Sequence, residues 1–370
     1  MPVSTLRKLA LTAGVSLVGY VGYLLSWPVP VEPVSWQSPI TAGYSGAYAA
    51  NTQLTGLQTI DLEGEEGPEH MAIGPDGKLY VAVAGGKILR FNPDGSEREI
   101  FANTGGRVLG FDFDAHGVLI AADAIKGLIA VTRAGIKVLA DHVTSDDPIG
   151  FADAVTIAPN GLVYFTDATT RFSPAQWGGT FEASVLDVIE QSATGRVLVF
   201  DPTTGKTSVV VQGFTFANGI VLSADSQSIF VVESGKYRVW KIDSAARELE
   251  LNRASSQAKV MLNNLPGYPD NLMRGIDGKI WLGLAKPRSA TVDKLADKPF
   301  WRKVTLRLPR FLWPVPKPYG HVVAFTEDGR IVANLQDPSG FYPETTGVTE
   351  TPDRLYIQSL HAQSIGWLPR

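Results

Sequence analysis

The sequence predicts an all-β protein, a six-bladed β-propeller that follows an N-terminal hydrophobic helix. The content of chain-turning residues and a short repeat that returns six times predict the propeller, and an uncharged stretch near the start predicts the helix. The 370 residues include 37 Gly and 24 Pro, which favours many short strands joined by turns over long helices. With 44% hydrophobic and 19% charged residues, the chain can bury a large core, which excludes a mainly disordered protein.

The N-terminal segment, residues 1–27, is predicted to be a membrane anchor. Arg7 and Lys8 precede an uncharged, mostly apolar stretch over residues 9–25, which is at the short end of what spans a bilayer. Trp27 follows as an interfacial aromatic residue. The alternatives are a cleaved signal peptide and a buried core helix. An anchor with basic residues at its start places the body outside the cytoplasm, in a periplasm, a lumen or the extracellular space, and cleavage would make the protein secreted.

The repeat is a turn with Asp or Asn before Gly, followed by a short run of strand-forming residues. Its six copies are 76–80, 116–120, 160–164, 225–230, 277–281 and 353–356. A unit of about 40 residues with four short strands is typical of a propeller blade, so six copies predict six blades. Residues 57–62 are expected to supply a strand that closes the ring with the last blade. The alternative is a β-sandwich or two β domains.

The predicted domain plan places a tether rich in Pro, Ser and Gly at residues 28–56 and the propeller at 57–370. Two inserts interrupt the blades, near 172–193 and 286–319. The second insert interleaves basic residues with Trp and Phe, which suits a membrane interface, and we expect it to rest on the bilayer and to cover lipophilic substrates. The alternative is a packed surface loop with solvated charges.

Four oxygen-bearing side chains stand at one position of the repeat. Glu69, Asp153 and Asp270 lie eleven residues before the aromatic residue of their copies, and Asn218 lies twelve before its own. Equivalent positions of successive blades are related by rotation about the axis, so these side chains should meet in the central channel. Three carboxylates together need a cation, and oxygen ligands favour Ca²⁺ over Mg²⁺ or Mn²⁺. Asn271 is a candidate fifth ligand. The alternative is that these residues cap turns at strand starts.

The remaining two copies place Leu109 and Thr345 at this position, which leaves one side of the ring open for a substrate. Calcium there would polarise a substrate carbonyl. The base that activates water is either His70 or, as the resemblance to gluconolactonases in the motifs given below implies, Asp270, which would shift between ligand and base. Arg107 either binds a substrate carboxylate at the channel mouth or forms a structural salt bridge.

Several other classes of function are excluded or disfavoured. The net charge of -4 argues against a nucleic-acid partner. The absence of cysteine from the sequence excludes disulfides, thiolate metal sites and a cysteine nucleophile. The sequence contains no Gly-x-Ser-x-Gly elbow and no phosphate-binding loop, which disfavours serine hydrolases and nucleotide-binding proteins.

The motifs around these residues resemble the strictosidine-synthase-like family, and within it the adipocyte plasma-membrane-associated protein branch. The motifs are Gly67-Pro68-Glu69-His70, Gly105-Gly106-Arg107-Val108-Leu109-Gly110, Ala122-Asp123-Ala124, Phe151-Ala152-Asp153-Ala154, Tyr164-Phe165-Thr166-Asp167, Phe216-Ala217-Asn218-Gly219 and Leu265-Pro266-Gly267-Tyr268-Pro269-Asp270-Asn271. The resemblance runs over residues 67–368, and the wider group includes gluconolactonases and paraoxonases. It implies a six-bladed propeller with calcium in the channel, held by Glu69, Asp153, Asn218 and Asp270 with Asn271 beside them.

The chain departs from the family pattern at positions that matter for chemistry. Thr346 stands where strictosidine synthases carry a catalytic Glu, which disfavours their condensation reaction. His70 and Ala154 stand where paraoxonases carry ligands of a second calcium, so no second calcium is expected, and no His lies near Leu109 to supply the paraoxonase His pair. Substrate contacts are expected from Arg107, Leu109 and Thr346.

The sequence therefore predicts a membrane-anchored, calcium-dependent hydrolase of aryl esters or lactones. The alternative is a non-catalytic, membrane-anchored propeller that binds a partner and in which the metal is structural. A condensing enzyme of the strictosidine synthase type is the third hypothesis.

Overall fold

The computed structural model describes residues 3–370, so residues 1 and 2 of the predicted anchor segment lie outside the described residues. The chain divides into two compact units. The first contains residues 3–38, 189–192 and 289–315, and the second contains residues 39–188, 193–288 and 316–370.

The second unit is a six-bladed β-propeller of antiparallel sheets, which confirms the predicted fold class. The blades are β2–β5 (His70–Ile73, Leu79–Ala82, Lys87–Phe91, Glu99–Asn103), β6–β9 (Val108–Phe113, Leu119–Asp123, Gly127–Thr132, Gly135–Ala140), β12–β15 (Ala152–Ile157, Val163–Asp167, Gly195–Asp201, Lys206–Phe214), β16–β18 with β20 (Ala217–Leu222, Ser228–Glu233, Arg238–Asp243, Ala258–Leu262), β21–β24 (Gly267–Arg274, Ile280–Pro287, Gly320–Phe325, Ile331–Asp337) and β25–β27 with β1 (Thr345–Glu350, Arg354–Ser359, Ser364–Pro369, Gln58–Asp61). The short strands are β10 (His142–Thr144) and β11 (Asp147–Pro148), which pair together, and β19 (Leu249–Glu250), which pairs in parallel with β15.

The six copies of the repeat form the turn before the second strand of each blade and the start of that strand. Their apolar side chains supply the core between neighbouring blades. For example, Ile120 and Ala122 of β7 share one buried cluster with Val163 and Phe165 of β13. Successive side chains of a strand point to opposite faces of its sheet. Both faces contribute to the core, because each sheet is covered by a blade on either side.

The ring closes through strands from both ends of the propeller sequence, as the sequence predicted. β1 pairs antiparallel with β27, with Gln58 opposite Trp367 and Ile60 opposite Ile365. Ile60 and Ile365 lie in one buried cluster with Met71 of the first blade. The last blade therefore takes its outermost strand from the start of the propeller.

Part of the segment predicted to be a tether is hydrogen-bonded to the propeller. After a 3₁₀ helix at Gly46–Tyr48, the Asn51 side chain donates to the Asn334 carbonyl at 2.9 Å and accepts from the Gln336 N–H at 3.0 Å. Leu54 is 2% exposed and packs in the buried cluster around Trp281. These contacts hold residues 46–54 along β24.

The helices lie in the N-terminal segment and in the two inserts. They are α1 (Val3–Ser26), α2 (Pro174–Trp177), α3 (Thr180–Glu190), α4 (Ala290–Lys294) and α5 (Pro299–Arg307), with further 3₁₀ turns at Ser234–Lys236, Ile276–Gly278 and Arg310–Leu312. Within α1, the stretch Arg7–Ser26 is long and apolar enough to cross a membrane.

Candidate metal centre in the propeller channel

The innermost strand of five blades is irregular at the residue that the repeat singled out. In β12 the pairing register shifts between Ala152 and Val155, so Asp153 is the first residue of a bulge. The same shift places Asn218 in a bulge of β16 and Asp270 in a bulge of β21. A bulge adds a residue and redirects its side chain, which is how a residue on a regular strand can point toward a site.

The first two blades follow the same plan with differences. Glu69 directly precedes β2, and its N–H donates to the Ala82 carbonyl at 3.1 Å. In β6 the register shifts between Val108 and Gly110, which puts apolar Leu109 at the equivalent position. Leu109 is 5% exposed, so it fills its place in the ring with buried hydrocarbon.

In the last blade the structure corrects the sequence prediction by one residue. The bulge of β25 lies between Thr345 and Val348, so Thr346 rather than Thr345 occupies the ring position. The offset of eleven residues before the aromatic residue points one residue too far toward the N-terminus, because the turn in this blade is shorter. Glu350 pairs with Leu355, five residues on, whereas Ile157 of β12 pairs with Val163, six residues on.

Small residues at the second bulge position let neighbouring inner strands approach closely. A Cβ added to Gly219 would lie 2.6 Å from the Asp270 carbonyl oxygen. A Cβ added to Gly110 would lie 2.8 Å from the Cα of Ala154. Both distances are shorter than any ordinary contact, so a side chain at either position would push the strands apart. Glycine at these points brings the candidate ligands of adjacent blades together.

Glu69 is the point at which four blades meet. The Asn271 amide donates to the Glu69 carbonyl at 3.3 Å and to its Oε1 at 3.4 Å. The Thr346 hydroxyl donates to the same carbonyl at 3.0 Å. The Arg107 guanidinium lies 3.4 Å from Glu69 Oε2. The predicted substrate residue Thr346 is fully buried and uses its hydroxyl in this contact.

Each of the three carboxyl groups is buried, and the charge of Glu69 raises the pKa of the other two. Burial raises the pKa of Asp270 well above its usual range, and the charges of Glu69 and Asp153 raise it further, while a hydrogen bond from Asn218 lowers it. Burial also raises the pKa of Asp153, with Glu69 adding to the effect and Arg107 opposing it. For Glu69, burial raises the pKa, and Arg107 is the largest opposing influence.

The donor set fits a divalent cation in its chemistry. The Oδ1 atom of Asn218 is buried and has no hydrogen-bond partner among the described residues, which is an unsatisfied acceptor that a cation would satisfy. Across residues 3–370, no three His, Cys, Asp or Glu side chains lie close enough together to form a metal cluster by themselves. A cation in this channel would therefore also need amide oxygens, which Asn218 and Asn271 can supply.

His70 follows Glu69 but is poorly placed to take a proton. It is 6% exposed, its ring packs edge-on against Phe111 at 4.8 Å, and its Nδ1 has no hydrogen-bond partner within the described chain. Burial lowers its pKa to about 4. A buried neutral imidazole of this kind is a weak base.

The structure adds a half-exposed histidine that the sequence did not single out. His361 Nδ1 contacts the Glu344 carboxylate, which also forms an ion pair with Lys286. The charges of His361 and Glu69 affect each other's pKa, so the two groups are neighbours in the channel region. The sequence could not signal this group, because its three members come from two blades and from turns outside the repeat.

The fold defines the class of protein, which is a six-bladed β-propeller whose inner strands carry buried oxygen-bearing side chains. Residues 46–91 match the family model described as strictosidine synthase-like, N-terminal, and residues 153–244 match the strictosidine synthase model. The chain is 33% identical over 317 residues to strictosidine synthase-like protein 6 of Arabidopsis thaliana, covering 83% of this chain and 80% of that protein. The chain belongs to the strictosidine synthase-like family.

Two further relatives differ in coverage. Strictosidine synthase-like protein 4 of Arabidopsis thaliana is 35% identical over 240 residues, which are 62% of this chain and 60% of that protein. The adipocyte plasma membrane-associated protein of Salmo salar is 28% identical over 369 residues, which are 92% of this chain and 84% of that protein.

Solved structures show the same fold at low identity. A gluconolactonase from Xanthomonas campestris superposes with a TM-score of 0.58 at 15% identity, covering 93% of this chain and 99% of that one. A calcium-binding protein, regucalcin, from Agrobacterium tumefaciens superposes with a TM-score of 0.55 at 14% identity, covering 84% and 93%. At these identities the likeness shows a shared propeller fold.

Proposed function

We propose that this protein is a calcium-dependent hydrolase of aryl esters or lactones. The observation that carries the proposal is the set of buried oxygen donors at equivalent positions of the inner strands, with three carboxyl groups of raised pKa and an unsatisfied amide oxygen. Such a cluster is unfavourable without a cation. The known relatives by fold include a gluconolactonase and a calcium-binding regucalcin, which supports the same class of chemistry.

Glu69, Asp153, Asn218 and Asp270 would hold the calcium, with Asn271 beside them. A bound calcium would supply Lewis-acid polarisation of the substrate carbonyl. Hard oxygen donors favour Ca²⁺, with Mg²⁺ or Mn²⁺ as less suitable ions. The Asn271 amide group holds Glu69 in place, because it bonds to both the backbone and the side chain of that residue.

Asp270 would accept the proton from the attacking water. It would do so by shifting between ligand and base, and the protonated carboxyl can then donate its proton to the leaving alkoxide. The other sequence candidate, His70, is disfavoured by its burial and lowered pKa. The His361–Glu344 pair is a second base that the geometry offers, because a carboxylate orients one imidazole nitrogen.

Arg107 would orient the substrate at the channel mouth. Its guanidinium lies 3.4 Å from Glu69, and its Nη1 is buried with no hydrogen-bond partner in the described part of the chain. An N–H donor of this kind suits a carboxylate or carbonyl oxygen of a bound molecule. Leu109 would contribute an apolar wall for the acyl or aryl part of the substrate.

The test is hydrolysis of phenyl acetate and simple lactones by the full chain, with calcium and with a chelator. The same assay is run on Asp270→Ala and, as a control, on Asp225→Ala, which removes an exposed turn carboxylate of the fourth blade. The proposal expects turnover that needs calcium, survives Asp225→Ala and is lost in Asp270→Ala. Turnover that is unchanged by the chelator and by Asp270→Ala would refute it.

A second candidate function is partner binding without catalysis. The burial of Thr346, with its hydroxyl committed to Glu69, favours it, because this position contributes no free group to chemistry. In that case calcium would raise the melting temperature, and no ester or lactone would turn over. The condensation reaction of strictosidine synthases remains disfavoured, because Thr346 carries no carboxyl group.

The proposed location is the membrane, with the propeller outside the cytoplasm. The apolar helix α1 and the similarity to a membrane-associated protein support anchoring. Arg7 and Lys8, at its start, favour a cytoplasmic N-terminus. The proposed partners are a small ester or lactone and the bilayer, and no nucleic acid.

A further inference from the structure

The first unit presents aromatic residues around the C-terminal end of α1. Tyr23 lies between Tyr20 and Trp27, with ring centroids 6.3 Å and 5.7 Å apart. All three side chains are exposed in the structure. Tyrosine and tryptophan concentrate where a membrane helix leaves the hydrocarbon, so this end of α1 has the composition of a membrane–water interface.

Arg307 joins the second insert to this end of α1. Its Nε donates to the Trp27 carbonyl at 2.6 Å, and its Nη1 donates to the Leu24 carbonyl at 2.9 Å. Carbonyl groups in the last turn of a helix lack partners within that helix, so this guanidinium serves as a C-terminal cap. The C-terminal end of α5 is thereby fixed to the point where α1 ends.

Two further contacts hold the chain after α1 against α5. Arg302 is 2% exposed and donates to the carbonyl groups of Ile189, at 2.7 Å, and of Val34. Lys303 pairs with Glu32 at 2.6 Å. Of the basic residues that suited a membrane interface in the sequence, Arg302 and Arg307 donate to backbone carbonyl groups inside the unit.

The remaining side chains of the insert leave an apolar and basic surface. Its large exposed apolar residues are Phe300, Trp301, Phe311, Leu312 and Val315. Phe311 is 84% exposed, which is unusual for a phenylalanine in a packed protein. Residues 289–315 contain six Lys or Arg and two Asp, a net charge of +4 (6 − 2).

We propose that residues 299–315 form an interfacial collar, in which Phe300, Trp301, Phe311 and Leu312 insert among the lipid headgroups of the bilayer that α1 spans. The inference does not depend on the proposed catalysis, but it rests on the proposed anchoring. It turns a single-helix anchor into a two-point attachment.

Continuity with α1 identifies the bilayer as the partner. Twenty helical residues rise about 30 Å, which matches the hydrocarbon thickness. Trp27 then lies at the interface, and the Arg307 contact puts the end of α5 at the same depth. Lys298 is exposed in the same insert, and its charge complements anionic headgroups.

Because the sequence contains no cysteine, a single introduced cysteine can be labelled to measure the depth of one residue in the bilayer. The full chain is reconstituted into vesicles of phosphatidylcholine with phosphatidylglycerol, and single nitroxide labels are placed at Trp301→Cys and Phe311→Cys. Accessibility to oxygen and to a water-soluble nickel complex is then compared. Val18→Cys, inside α1, is the lipid reference, and Lys294→Cys, an exposed polar position of the same insert, is the matched control.

If the collar is inserted, the ratio of oxygen accessibility to nickel accessibility at labels 301 and 311 should lie between the ratios at Val18 and Lys294. This ratio should fall when phosphatidylglycerol is omitted. Labels at 301 and 311 that match Lys294, while Val18 remains in lipid, would overturn the collar and leave the anchor intact. Nickel accessibility at Val18 would instead refute the anchor, and the collar with it. Backbone hydrogen exchange of residues 300–315 in the unmodified chain, slower in anionic than in zwitterionic vesicles, is the check that needs no substitution.

Discussion

At the scale of single residues, the inner strands bury three carboxyl groups whose pKa values are raised by burial. Glu69, Asp153 and Asp270 are each less than 10% exposed, and the charge of Glu69 raises the pKa of the other two. Groups arranged for stability alone would not bury three carboxyls around an unsatisfied amide oxygen. We therefore expect these carboxyl groups to lower the stability of the cation-free protein and to favour the binding of a cation.

Asp270→Asn tests this exchange of stability for binding. In chelator, the variant should be more stable than the wild type by about 1–3 kcal/mol, because it removes a buried charge that faces two others. In calcium, the order should reverse, since a charged ligand is lost. Thermal unfolding in the two buffers measures both effects, and a variant that is less stable than the wild type in chelator as well would contradict the account.

His321 gives a pH-dependent stability that is separate from the channel ligands. It is 1% exposed, its Nε2 lies 2.9 Å from Asn334 Oδ1, and burial lowers its pKa from 6.5 to about 4. Between these values the unfolded chain binds the proton more readily than the folded one. The stabilising effect is therefore complete above pH 6.5 and is lost as the pH falls toward 4, by roughly 3 kcal/mol in full.

His321→Gln should accordingly lose less stability than the wild type between pH 7 and pH 4.5. Urea unfolding at several pH values measures the free energy of unfolding of both proteins. The contributions of His70 and of the carboxyl groups cancel in the difference, because both proteins contain them. Parallel stability curves for the two proteins over this range would show that His321 does not titrate as described.

The sequence located the candidate ligands but not the state of the groups around them. Position in the repeat predicted equivalent inner positions for Glu69, Asp153, Asn218 and Asp270, and their role as metal ligands stays a prediction. It could not show that Thr346 is committed to the Glu69 carbonyl, or that His361 lies against Glu344. Those contacts depend on turns that vary from blade to blade, so no periodic pattern reports them.

At the scale of elements, the inner strands are built to be irregular. A bulge directs the site residue, and a small residue after it lets the next strand approach. The prediction from sequence failed by one residue in the last blade because a shorter turn changes the count without changing the bulge. In the last blade, element spacing therefore predicted the bulge position to within one residue, and strand register determined it.

Gly219→Ala tests the requirement for close approach. The added Cβ would lie 2.6 Å from the Asp270 carbonyl oxygen, a backbone atom that cannot rotate away. We expect a loss of about 1–3 kcal/mol of stability and weaker calcium binding, because Asp270 shifts. Gly56→Ala is the matched control, since nothing lies within 4 Å of its Cβ position. Chemical denaturation and calcium titration measure the two effects, and equal behaviour of the two variants would contradict the account.

At the scale of the whole molecule, the propeller is a ring whose closure joins distant parts of the chain. The six copies of a turn-and-strand repeat predicted the blade number, and the strand-like residues before the first copy predicted the closing strand. Both were confirmed, because blades are locally encoded. The division into two units could not be predicted, since it assembles residues 3–38, 189–192 and 289–315 from three separate segments.

Ile60→Ala tests the energetic importance of ring closure. Ile60 is 8% exposed and packs in a cluster that contains residues of the first and last blades. Its truncation should cost about 2–5 kcal/mol, as for other large buried aliphatic residues. Val332→Ala, at an exposed position of β24, should cost far less. Similar midpoints of urea unfolding for the two variants would show that β1 does not contribute to closure.

The central claim is that the ring of oxygen donors binds a divalent cation, and calorimetric titration of calcium into the full chain tests it most directly. The account predicts a single site in the wild type, loss of that site in Asp270→Ala, and retention in Asp225→Ala, which lies in an exposed turn. No binding heat in the wild type, or a site that survives Asp270→Ala unchanged, would contradict it.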